Sequence, residues 1–141
     1  MNIGVKFRIY PSKEIQSTLS QWIGCQRFIY NAKVSEDRYF RKFWKKSLSQ
    51  VGEHIPCDQQ YSQFRGEATE WLKEVPSQIL RNGSYRWMST YQRFFKKLGG
   101  RPTIKKKFGR QSVMITKELF AFEVVDDNSA MLHLGTKNNT I

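Results

Sequence analysis

The sequence predicts an α+β fold in which a helical segment is inserted between an N-terminal strand and C-terminal strands that could complete one small barrel. Residues 3–10 alternate apolar and basic side chains, which is the period of a half-buried strand, and Pro11 ends the alternation. Apolar residues then recur at helical spacing through the middle of the chain. Residues 112–116, 119–125 and 130–134 are typical of strands again, with turn formers at 126–129.

The helical segment divides into several predicted helices. Ser12 is a candidate N-cap for a first helix that runs to about Ile23, and Gly24 is either a break or a close-packing point before a long, basic second helix. Loop formers in residues 47–56 predict a connector. A short helix then extends from a cap at Asp58 to about Thr69, followed by a brief apolar turn.

The strongest helical pattern begins with Ser77 as its cap and ends at the Gly99-Gly100 pair. Gly83 lies inside it and indicates a kink or a close backbone approach. Apolar and small residues repeat along one side, while cations project to the other. The packing side contains Leu80, Ser84, Trp87, Tyr91, Phe94 and Leu98.

The charge of the chain is strongly positive and concentrated in one region. Lysine and arginine number 24 against 12 acidic residues, so the net charge is +12. Residues 76–117 contain no carboxylate, whereas a surface that serves solubility alone usually mixes both signs. We therefore expect a nucleic-acid partner. No apolar run is long enough to span a membrane and no signal peptide follows Met1, so we expect a cytoplasmic protein with no membrane partner.

The chemistry-bearing residues predict neither a metal site nor catalysis. Cys25 lies among apolar residues and is a core candidate, while Cys57 is isolated. His54 and His133 have no metal-ligand spacing. The adjacent acids Asp126 and Asp127 belong to a hairpin turn. Four aromatic residues could stack on bases, but their helical spacing favours core packing: Trp44, Tyr85, Trp87 and Tyr91.

The order of several short motifs resembles the N-terminal half of the TnpB/OrfB family of transposon-encoded, RNA-guided nucleases, which are related to type V CRISPR effectors. Each motif is weak alone, but they occur in the family's order over nearly the whole chain. They are KFRIYP at 6–11, GCQRFIYN at 24–31, WLKEVPS at 71–77, FFKK at 94–97, GRP at 100–102 and KKKF at 105–108.

This resemblance implies a domain organisation. Residues 1–10 would form the first strand of a wedge-type β-barrel, residues 11–108 a helical recognition lobe with a helix-turn-helix-like start, and residues 109–141 the remaining wedge strands, apparently truncated. The family binds a structured transposon-end guide RNA, and reads a short motif beside its target DNA. Guide RNA and target DNA are thus the partners that the resemblance implies, in a prokaryotic cell.

The resemblance also assigns candidate site residues. The positions that correspond to motif-reading residues are Ser77, Gln78, Arg81 and Thr116, whose side chains can contact base edges. An equally simple interpretation is that Ser77 caps its helix and Arg81 is solvated. The candidates for RNA or phosphate contact are Arg27, Arg101, Lys105, Lys106, Lys107 and Arg110, because consecutive cations suit a sugar-phosphate backbone.

The nuclease of the family is a RuvC-like domain in which carboxylates hold metal ions. That domain would follow residue 141, so we expect no catalysis and no cofactor in this chain, with Mg²⁺ needed only by a RuvC-containing part of the same nuclease. Two alternatives remain open: a nuclease-free DNA-binding regulator, and an inhibitor that captures the RNA by mimicking the front of such a nuclease.

Overall fold

A computed structural model describes residues 3–52 and 58–135, which form an α+β fold of helices and one antiparallel hairpin. The predicted class is therefore confirmed. The roles considered for His54 and Cys57 lie outside the described residues, as do residues 53–56 of the predicted connector. Residues 47–50 of that connector are helical, so the prediction is wrong for this part. The α-helices are α1 (Lys13–Phe43), α2 (Lys45–Gln50) and α3 (Ser77–Phe95), and the strands are β1 (Phe120–Asp126) and β2 (Ser129–Leu134).

Helix α1 is continuous through Gly24, so the predicted break there is wrong. A glycine inside a helix costs about 1 kcal/mol relative to alanine, but packing can offset that cost. Cys25 and Ile29, which follow Gly24, are both buried in the main core. The predicted cap at Ser12 is confirmed, because its hydroxyl accepts a hydrogen bond from the Ile15 N–H at 3.4 Å.

Helix α3 differs from its prediction at both ends. Pro76 occupies the N-cap position and Ser77 is the first helical residue, so Ser77 does not cap the helix. At the other end the helix stops before Gly99, because Lys97 adopts a left-handed conformation with φ of 60°. The Leu98 N–H donates to the Arg93 carbonyl at 2.9 Å, which closes the last turn.

Helices α1 and α3 approach each other closely at Gly83, which agrees with the close backbone approach that the sequence offered as one explanation for this glycine. A Cβ atom at this position would lie 2.9 Å from the Gln26 carbonyl oxygen and 3.2 Å from the Ile29 Cβ. Backbone atoms cannot move aside as the end of a flexible side chain can. The glycine therefore sets the distance between the two helices.

Replacing Gly83 by alanine is expected to lower the free energy of unfolding by about 1–3 kcal/mol, because overpacking outweighs the gain in helix propensity. Gly24 provides a matched control in the other helix. A Cβ there would meet only the Arg27 Nη2 at 3.8 Å. We expect Gly24→Ala to stabilise the protein by about 0.5–1 kcal/mol. Urea unfolding of both variants tests the contact, and stabilisation by both would contradict it.

Two groups of buried side chains form the core. The larger joins α1, α3 and the C-terminal hairpin, and it includes Trp22, Ile29, Leu80, Leu119 and Leu134. The smaller group lies further along the two helices and comprises Tyr30, Val34, Trp87 and Tyr91. Cys25 belongs to the larger group, and burial followed by the charge of Glu74 raises its pKa to about 11. Its predicted role as a core residue is confirmed.

The hairpin agrees with the sequence prediction, whereas two other predicted strands are absent from the described ranges. Strands β1 and β2 pair from Phe120 opposite Leu134 to Asp126 opposite Ser129. Residues 112–116 form no strand, and the backbone groups of Met114 bond instead to side chains of α1 and α3. Residues 3–10 are exposed and form no ladder, although the Phe7 ring lies 6.5 Å from that of Phe122.

The segment between α1 and α3 also differs from its prediction. Asp58 does not cap a helix that reaches Thr69; two 3₁₀ helices, Ser62–Phe64 and Glu67–Glu74, form instead. The Thr69 hydroxyl donates to the Phe64 carbonyl at 2.7 Å and accepts from the Gly66 N–H at 3.0 Å. These local hydrogen bonds compete with a regular helix and explain the kink at Thr69.

Candidate nucleic-acid interface

A shallow basic pocket lies where α1, α3 and the loop of residues 105–112 meet. Its walls combine cations, amides and two apolar side chains. We call it the Arg27 pocket; it is lined by Ile23, Gln26, Arg27, Tyr30, Arg86, Lys105, Arg110, Gln111 and Ser112.

The side chain of Gln26, on α1, connects the pocket to α3 and to the segment that follows the loop. Its side chain is 1% exposed. The amide nitrogen donates to the carbonyls of Ile79 and Met114, each at 2.9 Å, and the amide oxygen accepts from the Met114 N–H at 2.7 Å. One side chain thus replaces a strand partner for residue 114 and fixes the loop on the helix pair.

Asn31, one turn further along α1, holds the other end of the loop in the same manner. Its amide nitrogen donates to the Lys105 carbonyl at 2.9 Å, and its amide oxygen accepts from the Lys105 N–H at 2.8 Å. Both backbone groups of Lys105 are satisfied by this one side chain. The basic loop is therefore attached to α1 at two points.

Two of the three arginines that line the pocket are held by neighbouring polar groups. Arg86 donates to the Gln26 amide oxygen at 3.2 Å and to the Ser112 hydroxyl at 3.1 Å. Arg27 donates to the Gln111 amide oxygen at 3.1 Å, and Gln111 in turn donates to the Lys107 and Gly109 carbonyls. Each guanidinium has five N–H donors, so these contacts orient the group without using all of them.

The electrostatics of the pocket favour an anion. Arg27, Arg86, Lys105 and Arg110 contribute positive charge, and none of the described residues lining it is a carboxylate. The Lys105 ammonium lies 4.2 Å from the centre of the Tyr30 ring. Burial, followed by the positive charge of Arg86, lowers the pKa of Lys105 from its usual value.

The remaining predicted RNA-contacting residues extend outward from the pocket. Arg101, Lys106, Lys107 and Arg110 are all exposed. Arg101 stacks over the Phe94 ring at 4.8 Å, which keeps its charged end at the surface. Phe108 follows the lysines and is 94% exposed. Cations and one open aromatic face therefore form a continuous surface along the loop.

The four predicted motif-reading residues lie at the start of α3 and beside it. Ser77 is exposed and Gln78 half-buried, while Arg81 forms an exposed ion pair with Glu118 at 3.0 Å. Asn82, which sequence reasoning missed, is buried and its amide nitrogen lies 3.5 Å from the Thr116 hydroxyl, while Glu118, the partner of Arg81, follows Thr116 by two residues. Exposed ion pairs contribute only about 0–1 kcal/mol, and such a pair can be exchanged for another anion.

The aromatic candidates divide into two pairs. Trp87 and Tyr91 are buried, which confirms the core interpretation for both. Trp44 and Tyr85 are each 45% exposed, and neither belongs to the two core groups. The core interpretation is therefore wrong for this second pair, because α1 ends before Trp44 and Tyr85 lies on the outer face of α3.

Residues of the types that bind metal ions are not clustered in the described part of the chain. No group of three His, Cys, Asp or Glu residues that could hold a metal ion occurs within residues 3–52 and 58–135. Asp126 is the last residue of β1, directly before the hairpin turn, where the backbone N–H of Asn128 donates to it at 2.8 Å and lowers its pKa. Nor does either described range contain a helix long and apolar enough to cross a membrane.

Comparisons with known proteins find one matching domain model and one similar protein. Residues 1–38 match a helix-turn-helix domain of the OrfB/IS605 type. A Streptomyces pristinaespiralis protein named as an RNA-guided DNA endonuclease is 29% identical over 126 residues, which covers 83% of this chain and 29% of that relative. The predicted relationship to the TnpB/OrfB family is confirmed by these two matches. The chain thus spans less than a third of this relative.

The matched helix-turn-helix region has an unexpected geometry. Within residues 3–38 the structure contains an extended segment and the first part of one continuous helix, with no turn between two helices. A helix-turn-helix docks on duplex DNA by placing its second helix in the major groove. The match in sequence therefore does not imply that this region docks on duplex DNA in that way.

Proposed function

We propose that this chain is the nucleic-acid-binding front region of a TnpB-like, RNA-guided DNA endonuclease. It binds transposon-end guide RNA and the motif beside the target DNA. The observation that carries the proposal is the carboxylate-free basic region, residues 76–117, part of which lies against α1 around the Arg27 pocket. The relationship to the family and the named endonuclease relative support it.

The proposal assigns the two surfaces different partners. RNA phosphates contact Arg27, Lys105 and Arg110 in the pocket, and Arg101, Lys106 and Lys107 outside it. Ser77, Gln78, Arg81 and Thr116 contact the DNA motif. Phosphate contacts give affinity without reading sequence, whereas side chains at base edges read it. Ser77 and Arg81 are one helical turn apart and both exposed, which supports a shared contact.

The proposal also includes the wedge-type barrel, with domain boundaries after residues 10 and 108. Residues 3–10 and the hairpin both expose apolar side chains, among them Val5, Phe7, Phe122 and Val124. Such surfaces are usually covered by a partner or by more of the same protein. A RuvC-containing part would supply catalysis with Mg²⁺, while the residues of this chain bind without cleaving, in the prokaryotic cytoplasm.

The first test is to purify the protein together with RNA from a neighbouring transposon end and to sequence the RNA that co-purifies. We expect one structured RNA to be enriched and to survive moderate salt. Salt-sensitive binding to duplex DNA without RNA would favour the regulator. Binding to the nuclease's RNA without any DNA contact would favour the inhibitor.

The second test removes charge from the exposed loop. A triple variant with Arg101, Lys106 and Lys107 changed to glutamine is expected to weaken RNA binding. Because each lost single-strand phosphate contact lowers the salt slope by about 0.7, the slope should fall by about 2. Filter binding over a salt series measures it.

The matched control for this test carries the same charge change elsewhere. Lys42, Lys45 and Lys46 are exposed near the end of α1 and the start of α2. Their glutamine variant should retain most of the slope. Equal losses in the two variants would mean that net charge alone drives binding, and would contradict the assigned surface.

A further inference from the structure

We propose that the Arg27 pocket binds one internal phosphodiester group of the nucleic acid, as a fixed point from which the rest of the strand follows the basic loop. This deepens the proposed function and rests on it. The pocket differs from the open cationic surface because its donors come from three separate parts of the chain.

The first support is that four positively charged side chains line the pocket and none of the described lining residues is negatively charged. Arg27 comes from α1, Arg86 from α3, and Lys105 and Arg110 from the loop. Among the described residues, neither Lys105 nor Arg110 makes a side-chain hydrogen bond or an ion pair. Like charges gathered in this way repel one another, and an anion between them removes that cost.

The second support is preorganisation. The buried Gln26 fixes Arg86 and the backbone of residue 114, Asn31 fixes the backbone of Lys105, and Gln111 orients Arg27. Flexible surface cations lose side-chain entropy when they bind a phosphate. Here the scaffold has already fixed the guanidinium groups of Arg27 and Arg86 and the backbone of Lys105, so less entropy remains to be lost.

The third support is the environment of the Lys105 ammonium, which lacks a negatively charged partner among the described residues. Its ammonium is partly buried beside Arg86, which disfavours the charged form. It has a ring face beneath it at 4.2 Å but no anion among the described groups. A bound phosphate would stabilise the charged ammonium and return its pKa upward.

The chemistry indicates a phosphodiester within a strand. Three guanidinium groups and an ammonium match the charge and the several acceptor oxygens of a phosphate. The exposed Lys106 and Lys107 continue from Lys105 along the same loop. An isolated phosphate would gain nothing from that extension, whereas consecutive phosphates of one strand would.

A methylphosphonate scan tests the proposal with the co-purified RNA or a strand of the same sequence. Each linkage in turn is made neutral, and affinity is measured. In the wild type one linkage should be more sensitive than all the others, with a loss of about tenfold, as expected for a charge-assisted contact. In a double variant, Lys105→Gln with Arg110→Gln, that linkage should lose its sensitivity.

The control is Lys106→Gln, which should lower overall affinity but keep the same sensitive linkage. Unchanged melting temperatures show that the variants are folded. Losses spread evenly over all linkages, or a sensitive linkage that persists in the double variant, would overturn the proposal.

A second arm uses inorganic phosphate and needs no nucleic acid. Phosphate should raise the pKa of the Lys105 ammonium, followed by ¹⁵N NMR, more than sodium chloride of equal ionic strength does. Arg110→Gln should reduce that response. Phosphate binding without any nucleic-acid binding would overturn the phosphodiester assignment and the proposed function together. If the protein still binds RNA but the scan shows no distinctly sensitive linkage, only the assignment of the phosphate to the pocket would be overturned.

Discussion

Replacing Trp87 by alanine is expected to lower the free energy of unfolding by about 3–5 kcal/mol, as for other large buried aromatics. The indole is 1% exposed and lies at the centre of the smaller core group. Its ring meets the Tyr91 ring edge-on, with 5.3 Å between the centroids. Truncation would leave a cavity between α1 and α3 that the fixed crossing at Gly83 prevents from closing.

The same substitution removes the aromatic face beside a buried lysine. Lys33 is 2% exposed, its ammonium lies 4.8 Å from the centre of the Trp87 ring, and it forms ion pairs with Glu36 at 3.3 Å and Asp58 at 3.2 Å. A desolvated ammonium over an indole gains about 2 kcal/mol from the ring. Loss of that contact adds to the cost of the cavity.

Trp87→Phe is the control, because it keeps an aromatic ring in the pocket. It also removes the indole N–H, which is buried and has no hydrogen-bond partner within the described part of the chain. We expect this variant to lose about 1–1.5 kcal/mol or less, since an unsatisfied buried donor is deleted together with some volume. Urea unfolding compares the two variants. Equal losses would show that ring volume is not the basis of the effect.

Trp87 also shows why part of the fold could be predicted from the sequence. The residues of α3 that pack inward repeat every three or four positions, and this local pattern does not depend on the identity of the partner. The turn at residues 126–129 is local in the same sense. Trp87, Tyr91 and the hairpin were therefore predicted correctly.

The elements that were predicted wrongly depend on distant partners. Residues 112–116 have the composition of a strand, but Gln26 and Asn82, on two different helices, bond the backbone of Met114 in their midst. Gly24 suggests a helix break from sequence alone, but packing of the neighbouring Cys25 and Ile29 against α3 keeps the helix continuous. The end of α3 depends on Lys97, a non-glycine residue in a left-handed conformation that composition does not reveal.

The positive charge of the candidate site could be predicted from the sequence, but the hydrogen bonds that position its cations could not. The acid-free run indicated the cations of the loop, including Lys105 and Arg110. The amides that position them were missed, because Gln26 and Asn31 act on residues 88 and 74 positions away. An amide on the inward face of a helix is the signal that could have indicated such a contact.

Replacing Gln26 by leucine is expected to lower the free energy of unfolding by about 2–4 kcal/mol, because buried backbone groups lose their partners. The Met114 N–H loses its acceptor at 2.7 Å, and the Met114 carbonyl loses its closer donor at 2.9 Å and keeps only Asn82 at 3.4 Å. Leucine has a similar volume, so the loss reports on hydrogen bonding more than on packing. Chemical denaturation followed by circular dichroism measures it.

Gln21→Leu makes the same chemical change on the same helix. Gln21 donates to Glu74 at 2.8 Å, but at an exposed position where water can replace the partner. We expect a change within about 0.5 kcal/mol. Equal destabilisation by the two leucines would mean that the Gln26 hydrogen bonds contribute little beyond those at the surface.

The Gln26 variant also separates the scaffold from the charges it positions. Arg86 would keep its charge but lose the amide oxygen that orients it at 3.2 Å, and residues 112–114 would lose their attachment to α1. RNA affinity should therefore fall by about tenfold, even at temperatures where the variant is fully folded and its net charge is unchanged. Undiminished affinity would show that the cations bind without a fixed arrangement, as mobile surface charges do.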